Sequence, residues 1–109
     1  MYARKTDLTH ASIREGLRQL GYSVADCSRM GKGFPDLLVG VNYFLTVLVE
    51  CKTLLGKTKR SKKTATDLLQ PEQRSFRDEW KGTPVIVAAS FEEAHFQISL
   101  LKKRYGWVK

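Results

Sequence analysis

Two acidic residues and one lysine near the middle of the chain have the types and spacing of a metal-dependent hydrolytic site. Asp36 follows Gly33-Phe-Pro, and Glu50 lies two residues before Lys52. Two carboxylates held side by side repel each other unless a cation lies between them, and oxygen-only ligands suit Mg²⁺. The cation would lower the pKa of a bound water, while the lysine could orient or deprotonate that water or hold a phosphate. These residues indicate hydrolysis of a phosphate ester, provided that the fold brings them together.

The pairing of two predicted β-strands decides whether these side chains meet. Leu37–Val41 and Phe44–Cys51 are rich in Val, Leu and Phe and should turn back on each other as a hairpin. A three-residue loop centred on Tyr43 gives partners whose numbers sum to 86, which places Asp36 opposite Glu50. Directly opposed residues point to the same face of a sheet, so the two carboxylates should converge there.

Lys52 should share the face of Glu50, because side chains two residues apart on a strand point the same way. The intervening Cys51 should point to the other face, into the core. A different interpretation is a cross-strand salt bridge with no chemical role, since an acid two residues before a lysine is common on strands. The spacing leaves both interpretations open.

The rest of the chain predicts one α/β domain over residues 1–109, with the order α-β-β-β-α-β-α and a mixed central sheet flanked by helices. The last strand follows a helical crossover, so it should lie parallel to Phe44–Cys51. The first helix is predicted over residues 7–20, with Asp7 or Thr9 as its cap. The other predicted elements are a strand over Tyr22–Cys27, a helix from Pro71 to Gly82, a strand over Pro84–Ala89 and a helix that opens with the capping box Ser90–Glu93 and ends at Gly106.

The chain carries 19 Lys and Arg against 11 Asp and Glu, a formal charge of +8. Such a surplus favours a polyanionic partner such as DNA, because each neutralised phosphate releases counterions. Basic residues concentrate in a loop over about 53–66, which contains no acid and is expected to be mobile. This loop either contacts the phosphate backbone or is a solvated linker. The candidate DNA-binding residues are Lys57, Lys59, Arg60, Lys62, Lys63 and, outside the loop, Lys32.

Other features argue against a secreted, membrane-bound or zinc-stabilised protein. Cys27 and Cys51 are too few for a disulfide framework, and no Cys-x-x-Cys or Cys/His cluster offers a structural zinc site. The N-terminus lacks the apolar segment of a signal peptide, and no apolar stretch approaches membrane-spanning length. We therefore expect a reducing, cytoplasmic compartment, no membrane partner and no small-molecule substrate.

Three segments together resemble the VRR-Nuc family, the virus-type replication–repair branch of the PD-(D/E)xK nucleases. They are Gly33-Phe-Pro-Asp36-Leu-Leu-Val-Gly, Leu-Val-Glu50-Cys-Lys52-Thr and Leu-Leu-Gln-Pro-Glu-Gln73, the last of them before an aromatic-bearing helix. The resemblance extends over about residues 7–98. It implies a restriction-endonuclease-like core and an endonuclease that hydrolyses DNA phosphodiester bonds with a metal ion.

In the resembled family, the residues that match Asp36 and Glu50 are metal ligands, and the residue that matches Lys52 is catalytic. The backbone carbonyl at the position of Cys51 often completes the metal site, and the family's glutamine, matched by Gln73, lies beside it. The resemblance thus implies Mg²⁺ as the cofactor, with Mn²⁺ as a substitute. Aromatic residues three and seven positions after Gln73 place it on the sheet-facing side of its helix. The alternative is that Gln73 is an ordinary polar residue of a first helical turn.

The first helix departs from the family pattern. PD-(D/E)xK enzymes commonly carry an acidic metal ligand there, but the corresponding place falls near His10. Glu15 lies roughly 200° from Ile13 at about 100° per residue and should face water, whereas His10 is only about 60° from Ile13. His10 therefore either contacts a metal-bound water or a phosphate, or is a packed, hydrogen-bonded residue. Asp7 is a further candidate, and the number of metal ions stays open.

The function that the resemblance implies is structure-selective cleavage of branched DNA, such as Holliday junctions, during recombination, replication or repair in a bacterium or a phage-infected cell. Single-domain members of this kind are usually homodimers. Two alternatives are a non-catalytic DNA-binding module on the same fold, supported by the absent first-helix acid, and an interaction protein with an acidic partner. The residues that argue against both alternatives are Asp36, Glu50, Lys52 and Gln73. Two acids that face DNA without a cation would serve neither role.

Overall fold

The computed structural model describes residues 5–54 and 62–105, which form an α/β fold with a four-stranded mixed sheet and three helices. The predicted α/β class with a mixed sheet is therefore confirmed. Within these ranges, no helix has the length and apolar character needed to cross a bilayer. The elements in chain order are α1 (Lys5–Gln19), β1 (Ser23–Asp26), β2 (Leu37–Asn42), β3 (Leu45–Cys51), a short 3-10 helix (Thr66–Leu68), α2 (Pro71–Glu79), β4 (Ile86–Ala88) and α3 (Phe91–Tyr105).

The strands lie in the order β1-β2-β3-β4, with β1 and β3 antiparallel to β2, and β4 parallel to β3. The pairs from Leu37↔Val49 to Gly40↔Thr46 confirm the register in which partner numbers sum to 86. The predicted three-residue loop centred on Tyr43 is wrong, because Asn42 pairs with Leu45 across a two-residue turn, and a register shift between Gly40 and Asn42 restores the predicted pairing. The pair Val49↔Ile86 confirms the parallel pairing expected after a helical crossover. The residue just before β2 therefore lies opposite the penultimate residue of β3, as the site requires.

One face of the sheet packs against α1 and α3 and forms the main core. Ile13 and Leu17 from α1, Ile98 from α3 and Val49 from β3 are completely buried there. Burial of each large apolar side chain stabilises the fold by about 1.5–3 kcal/mol. The spacing of Ile13 and Leu17 by one helical turn explains why α1 lies against the sheet and presents the same side to it throughout.

The first helix differs from its prediction at the N-terminus. It begins at Lys5, so neither Asp7 nor Thr9 is its cap, and Asp7 instead lies in the first turn. A negative charge there is favourable because the helix dipole presents partial positive charge at that end, which lets the helix extend beyond the predicted cap. Glu15 is exposed, as predicted. The helix ends before Gly21, whose φ of 93° is a left-handed conformation that glycine adopts readily.

The opposite face of the sheet carries a smaller apolar cluster and the polar residues of interest. Ala65, Leu69 and Val87 are buried in this cluster. Val87 is the partner of Glu50 across the parallel strands, so both side chains point to this face. Cys51 packs against the main core on the other face, as the alternation predicts. The sheet therefore separates the thiol of Cys51 from the carboxylate of Glu50.

Candidate active site

Three of the predicted site residues are joined by direct contacts between their side chains. The amide Nε2 of Gln73 donates a hydrogen bond to Glu50 Oε2 at 3.0 Å, and Lys52 Nζ donates one to Gln73 Oε1 at 2.7 Å. Lys52 Nζ also lies 3.6 Å from Glu50 Oε2. Gln73 is 23 positions from Glu50 in the chain, so α2 must pack over the end of β3 to complete this group.

The first turn of α2 holds Gln73 in a defined orientation. Pro71 lies at the start of the helix, where its missing N–H removes no helical hydrogen bond. Gln73 Oε1 accepts the backbone N–H of Gln70 at 2.8 Å, as one half of a capping box. The same oxygen accepts a hydrogen bond from the Lys52 ammonium. Because Oε1 is held by these two donors, the Nε2 end of the amide faces Glu50. Gln73 is therefore both a first-turn capping residue and a member of the candidate site.

The loop between β1 and β2 fits closely against α2. Gly33 has a φ of 80°, and a Cβ at this position would collide with the carbonyl oxygen of Glu72. Phe34 contacts Phe76 edge to face, with ring centroids 5.2 Å apart. A larger residue at position 33 would push α2 away from the sheet, so this loop positions α2 as well as Asp36.

Asp36 lies directly before β2 and is tied to the strands on both sides. Its Oδ2 accepts a hydrogen bond from the backbone N–H of Cys51 at 2.9 Å. Its backbone carbonyl oxygen accepts a hydrogen bond from the backbone N–H of Cys27 at 2.6 Å. Backbone donors from two neighbouring strands thus hold the partly buried Asp36 close enough for its charge to act on Glu50.

Glu50 is an acid in surroundings that disfavour its charge. It is 4% exposed and is the only buried charged residue in the described part of the chain. Burial, followed by the negative charge of Asp36, raises the pKa of Glu50 to about 8, although Lys52 opposes this shift. Glu50 Oε1 is buried and makes no hydrogen bond with the residues that the structure describes. A buried carboxylate oxygen without a partner costs free energy until a proton or a cation satisfies it.

The donor atoms at this point fit the divalent cation that the family resemblance implies. The orphaned Oε1 of Glu50 and the adjacent carboxylate of Asp36 offer oxygen atoms only, the ligand type that Mg²⁺ prefers. A cation held by both would satisfy the orphaned oxygen and cancel the repulsion between the two acids. The carbonyl of Cys51 stays a predicted third ligand.

The first helix places a histidine, rather than an acid, beside the site. One ring nitrogen of His10, one carboxylate oxygen of Asp36 and the sulfur of Cys51 lie within 4.8 Å of one another. His10 Nε2 also lies 3.0 Å from Asp26 Oδ2. Burial raises the pKa of the Cys51 thiol, which is therefore uncharged near neutral pH. His10 is therefore hydrogen-bonded, as expected for a structural histidine, and it also lies close to the predicted metal ligand Asp36, as a contact with a metal-bound water would require.

Asp26 is a neighbour of the site that the sequence analysis missed. Ser28 Oγ donates a hydrogen bond to Asp26 Oδ1 at 2.6 Å, and Arg14 Nη1 donates one to Asp26 Oδ2 at 3.1 Å. These hydrogen bonds hold the pKa of Asp26 far below its usual range. The one local signal was the Asp-Cys-Ser sequence, in which the aspartate accepts the backbone N–H two residues on. Its contact with His10 depends on the packing of α1 against β1, which that signal does not predict.

The predicted DNA-binding residues fall into two groups. Lys32, Lys62 and Lys63 are exposed, and the first two have positive φ angles of 55° and 60°. The others lie outside the described residues, so the expected mobility of the loop and its phosphate contacts stay predictions. They are Lys57, Lys59 and Arg60.

Searches of the chain against protein-family models, curated proteins and solved structures found no match.

Proposed function

We propose that this chain is a metal-dependent DNA endonuclease of the PD-(D/E)xK type, with a restriction-endonuclease-like core. The observation that carries the proposal is the buried Glu50 carboxylate, with Oε2 bound by Gln73 and Lys52 and Oε1 left without a partner. A purely structural salt bridge accounts poorly for this arrangement, because desolvation of a carboxylate is repaid only when its remaining lone pairs are satisfied. The second acid, Asp36, makes such a bridge less favourable still.

Each residue has a distinct part in this function. Asp36 and Glu50 would hold Mg²⁺, or Mn²⁺ in its place. When bound, the cation supplies Lewis acidity, which lowers the pKa of a bound water and neutralises charge on a phosphoryl oxygen. Lys52 places a localised positive charge at the site, where it orients the attacking water or holds the scissile phosphate. Gln73 contacts both Lys52 and Glu50 and limits the rotamers that either can adopt.

The substrate that we propose is DNA, and branched DNA in particular. The net charge of +8 and the exposed Lys32, Lys62 and Lys63 support a partner rich in phosphate. The sequence contains no base-reading motif, which favours recognition of backbone and shape over bases. The preference for four-way junctions, the homodimer and a role in recombination, replication or repair come from the family resemblance alone.

The test is cleavage of labelled four-way, flap and linear DNA by the purified protein with Mg²⁺ or Mn²⁺. Asp36→Ala and Lys52→Ala should retain DNA binding and lose cleavage, because each removes a group from the reacting centre. Glu79→Gln is the control, since Glu79 is an exposed acid at the end of α2. It should cut at the wild-type rate.

Two results would contradict the proposal. Wild-type protein that binds DNA but never cuts with either metal would favour the non-catalytic binding module. Equal cutting by wild type, Asp36→Ala and Lys52→Ala would place the activity outside this site.

A further inference from the structure

Three different donor atoms lie close together at the end of the sheet that carries Asp36. They are a ring nitrogen of His10, a carboxylate oxygen of Asp36 and the sulfur of Cys51, all within 4.8 Å of one another. The three residues are partly buried and come from α1, from the position before β2 and from the end of β3. Nitrogen, oxygen and sulfur together suit a thiophilic cation such as Zn²⁺, whereas Mg²⁺ selects oxygen.

The hydrogen bond of His10 is a second, independent observation. His10 Nε2 lies 3.0 Å from Asp26 Oδ2, and Ser28 Oγ holds the other oxygen of Asp26 at 2.6 Å. Metal-binding histidines almost always donate their second ring N–H to a carboxylate, a carbonyl or a water, which fixes the tautomer and the ring orientation. A ring that donates Nε2–H to Asp26 can bind a cation only through Nδ1, so the proposed site requires Nδ1 to face Asp36 and Cys51. Asp26 would then be the outer partner and His10 the ligand of a carboxylate–histidine–metal arrangement.

The dimensions of the group are compatible with metal binding. Tetrahedral coordination at ordinary zinc bond lengths separates the donor atoms by about 3.3–3.6 Å. Donors already within 4.8 Å of one another need movements of roughly 1 Å to reach those separations, which side-chain rotation can supply. A solvent-open cavity of ≈ 380 Å³ borders His10 and its partner Asp26.

We propose that His10, Asp36 and Cys51 form a second cation site that selects a thiophilic divalent metal such as Zn²⁺. Cys51 would bind as the thiolate and release its proton to solvent, and a water would complete the four-coordinate shell. Because Asp36 belongs to both donor sets, Zn²⁺ held here draws Asp36 away from Glu50 and inhibits Mg²⁺-dependent cleavage. The inhibition rests on the proposed nuclease function, whereas the site itself does not.

The site is tested by titrating the reduced, metal-free protein with Co²⁺, which reports a thiolate ligand through a ligand-to-metal charge-transfer band. Wild type should bind one Co²⁺ with this band, and Zn²⁺ should displace it. Cys51→Ser should lose the band, whereas Cys27→Ser, the matched control at the other partly buried cysteine, should keep it. Asp26→Asn should keep the band and weaken metal affinity by roughly tenfold, as expected for loss of a partner that orients the ligand.

The outcomes separate the two proposals. Absence of the band in wild type, or its loss in Cys27→Ser rather than in Cys51→Ser, would overturn the second site whether or not the protein cuts DNA. Glu50→Gln should keep the band, because Glu50 belongs only to the Mg²⁺ site.

Inhibition is measured as the Zn²⁺ concentration that halves Mg²⁺-dependent cleavage, with each variant compared with its own zinc-free rate. Cys51→Ser should need at least about tenfold more Zn²⁺ than Cys27→Ser, because it lacks the sulfur ligand. Equal sensitivity would mean that Zn²⁺ inhibits elsewhere, and this consequence of the second site would be wrong.

Discussion

Glu50 and Asp26 are two carboxylates near the same end of the sheet whose surroundings treat negative charge in opposite ways. Asp26 accepts hydrogen bonds from Ser28 and Arg14, and its pKa lies far below the usual range. Glu50 is buried, has one oxygen without a partner, and has a pKa raised to about 8. Asp26 is therefore a satisfied anion, whereas Glu50 needs a proton or a cation.

This difference shows how a candidate site is distinguished from a structural ion pair. Both acids lie close to a basic side chain, so proximity to a basic group does not separate them. The state of the second carboxylate oxygen does separate them, since Ser28 binds it in Asp26 and nothing in the described chain binds it in Glu50. We therefore expect Glu50 to govern the binding of Mg²⁺ and Asp26 to govern local structure, including the orientation of His10.

The largest expected effect that distinguishes the two acids is on DNA cleavage. Glu50→Gln should lower the rate of Mg²⁺-dependent cleavage by about a thousandfold or more, because loss of a cation ligand removes several kcal/mol of transition-state stabilisation. Asp26→Asn should lower it by less than about tenfold, because Asp26 acts only through His10. Single-turnover rates on labelled four-way DNA give both numbers, and equal losses would remove the distinction.

The next largest effect is on the pH dependence of stability without metal. In the folded protein the pKa of Glu50 is raised to about 8 from an ordinary 4.5, so the folded state binds this proton more tightly than the unfolded state. The resulting stabilisation is complete below about pH 4.5 and is lost as the pH rises through about 8. Urea unfolding in a chelator should show the free energy of unfolding falling across this window by on the order of a few kcal/mol.

Glu50→Gln supplies the control for this measurement, because the amide cannot titrate. Its stability should change much less over the same window, and added Mg²⁺ should stabilise wild type above about pH 8 but not this variant. A wild-type profile as flat as that of Glu50→Gln would show that burial does not raise the pKa of Glu50 in this way.

Asp26 should have a smaller effect on the pH dependence of stability, at acidic pH and with the opposite sign. Its pKa is depressed in the folded state, so its stabilisation is present above an ordinary pKa of 3.8 and is lost as the pH falls below that value. Asp26→Asn should cost about 1 kcal/mol near neutral pH, since the carboxylate is partly exposed and its hydrogen bonds are partly offset by solvent. Thermal unfolding at neutral and acidic pH measures this loss, which should shrink on acidification.

The smallest effect concerns the loop that joins Asp26 to Asp36. Lys32 has a φ of 55°, a left-handed conformation that costs a residue with a Cβ about 1 kcal/mol. Lys32→Gly should therefore raise the free energy of unfolding by about 0.5–1 kcal/mol, less the added freedom of the unfolded chain. Lys63→Gly, at an exposed residue without a positive φ, should give no gain. Urea unfolding gives the free energy of unfolding of both variants, and equal changes would contradict backbone strain at Lys32.

Much of the local structure was readable from the sequence for identifiable reasons. The hairpin itself followed from two apolar runs around a short turn, whereas the register shift between Gly40 and Asn42, which preserves the predicted pairing, had no signal in the sequence. The start of α2 followed from the preference of proline for a first helical turn. The N-terminus of α1 was misjudged because Asp7 suits a first turn as well as a cap.

The residues Asp36, Glu50, Lys52 and Gln73 were identifiable as a group from their types, their spacing and the family resemblance. The parity of strands determines that Glu50 and Lys52 share a face, whatever the rest of the chain does. That much depends only on backbone geometry, which repeats every two residues and needs no distant partner.

Only the tertiary structure decided how those groups are satisfied. Whether Glu50 Oε1 has a partner depends on where α2 lies, and whether His10 meets Asp36 and Cys51 depends on how α1 packs. Both are long-range outcomes of core packing, because burial and the charges that shift a pKa come from residues far apart in the chain. The sequence thus specified which groups were available, and packing decided that the Glu50 carboxylate is left requiring a proton or a cation while Asp26 is already satisfied.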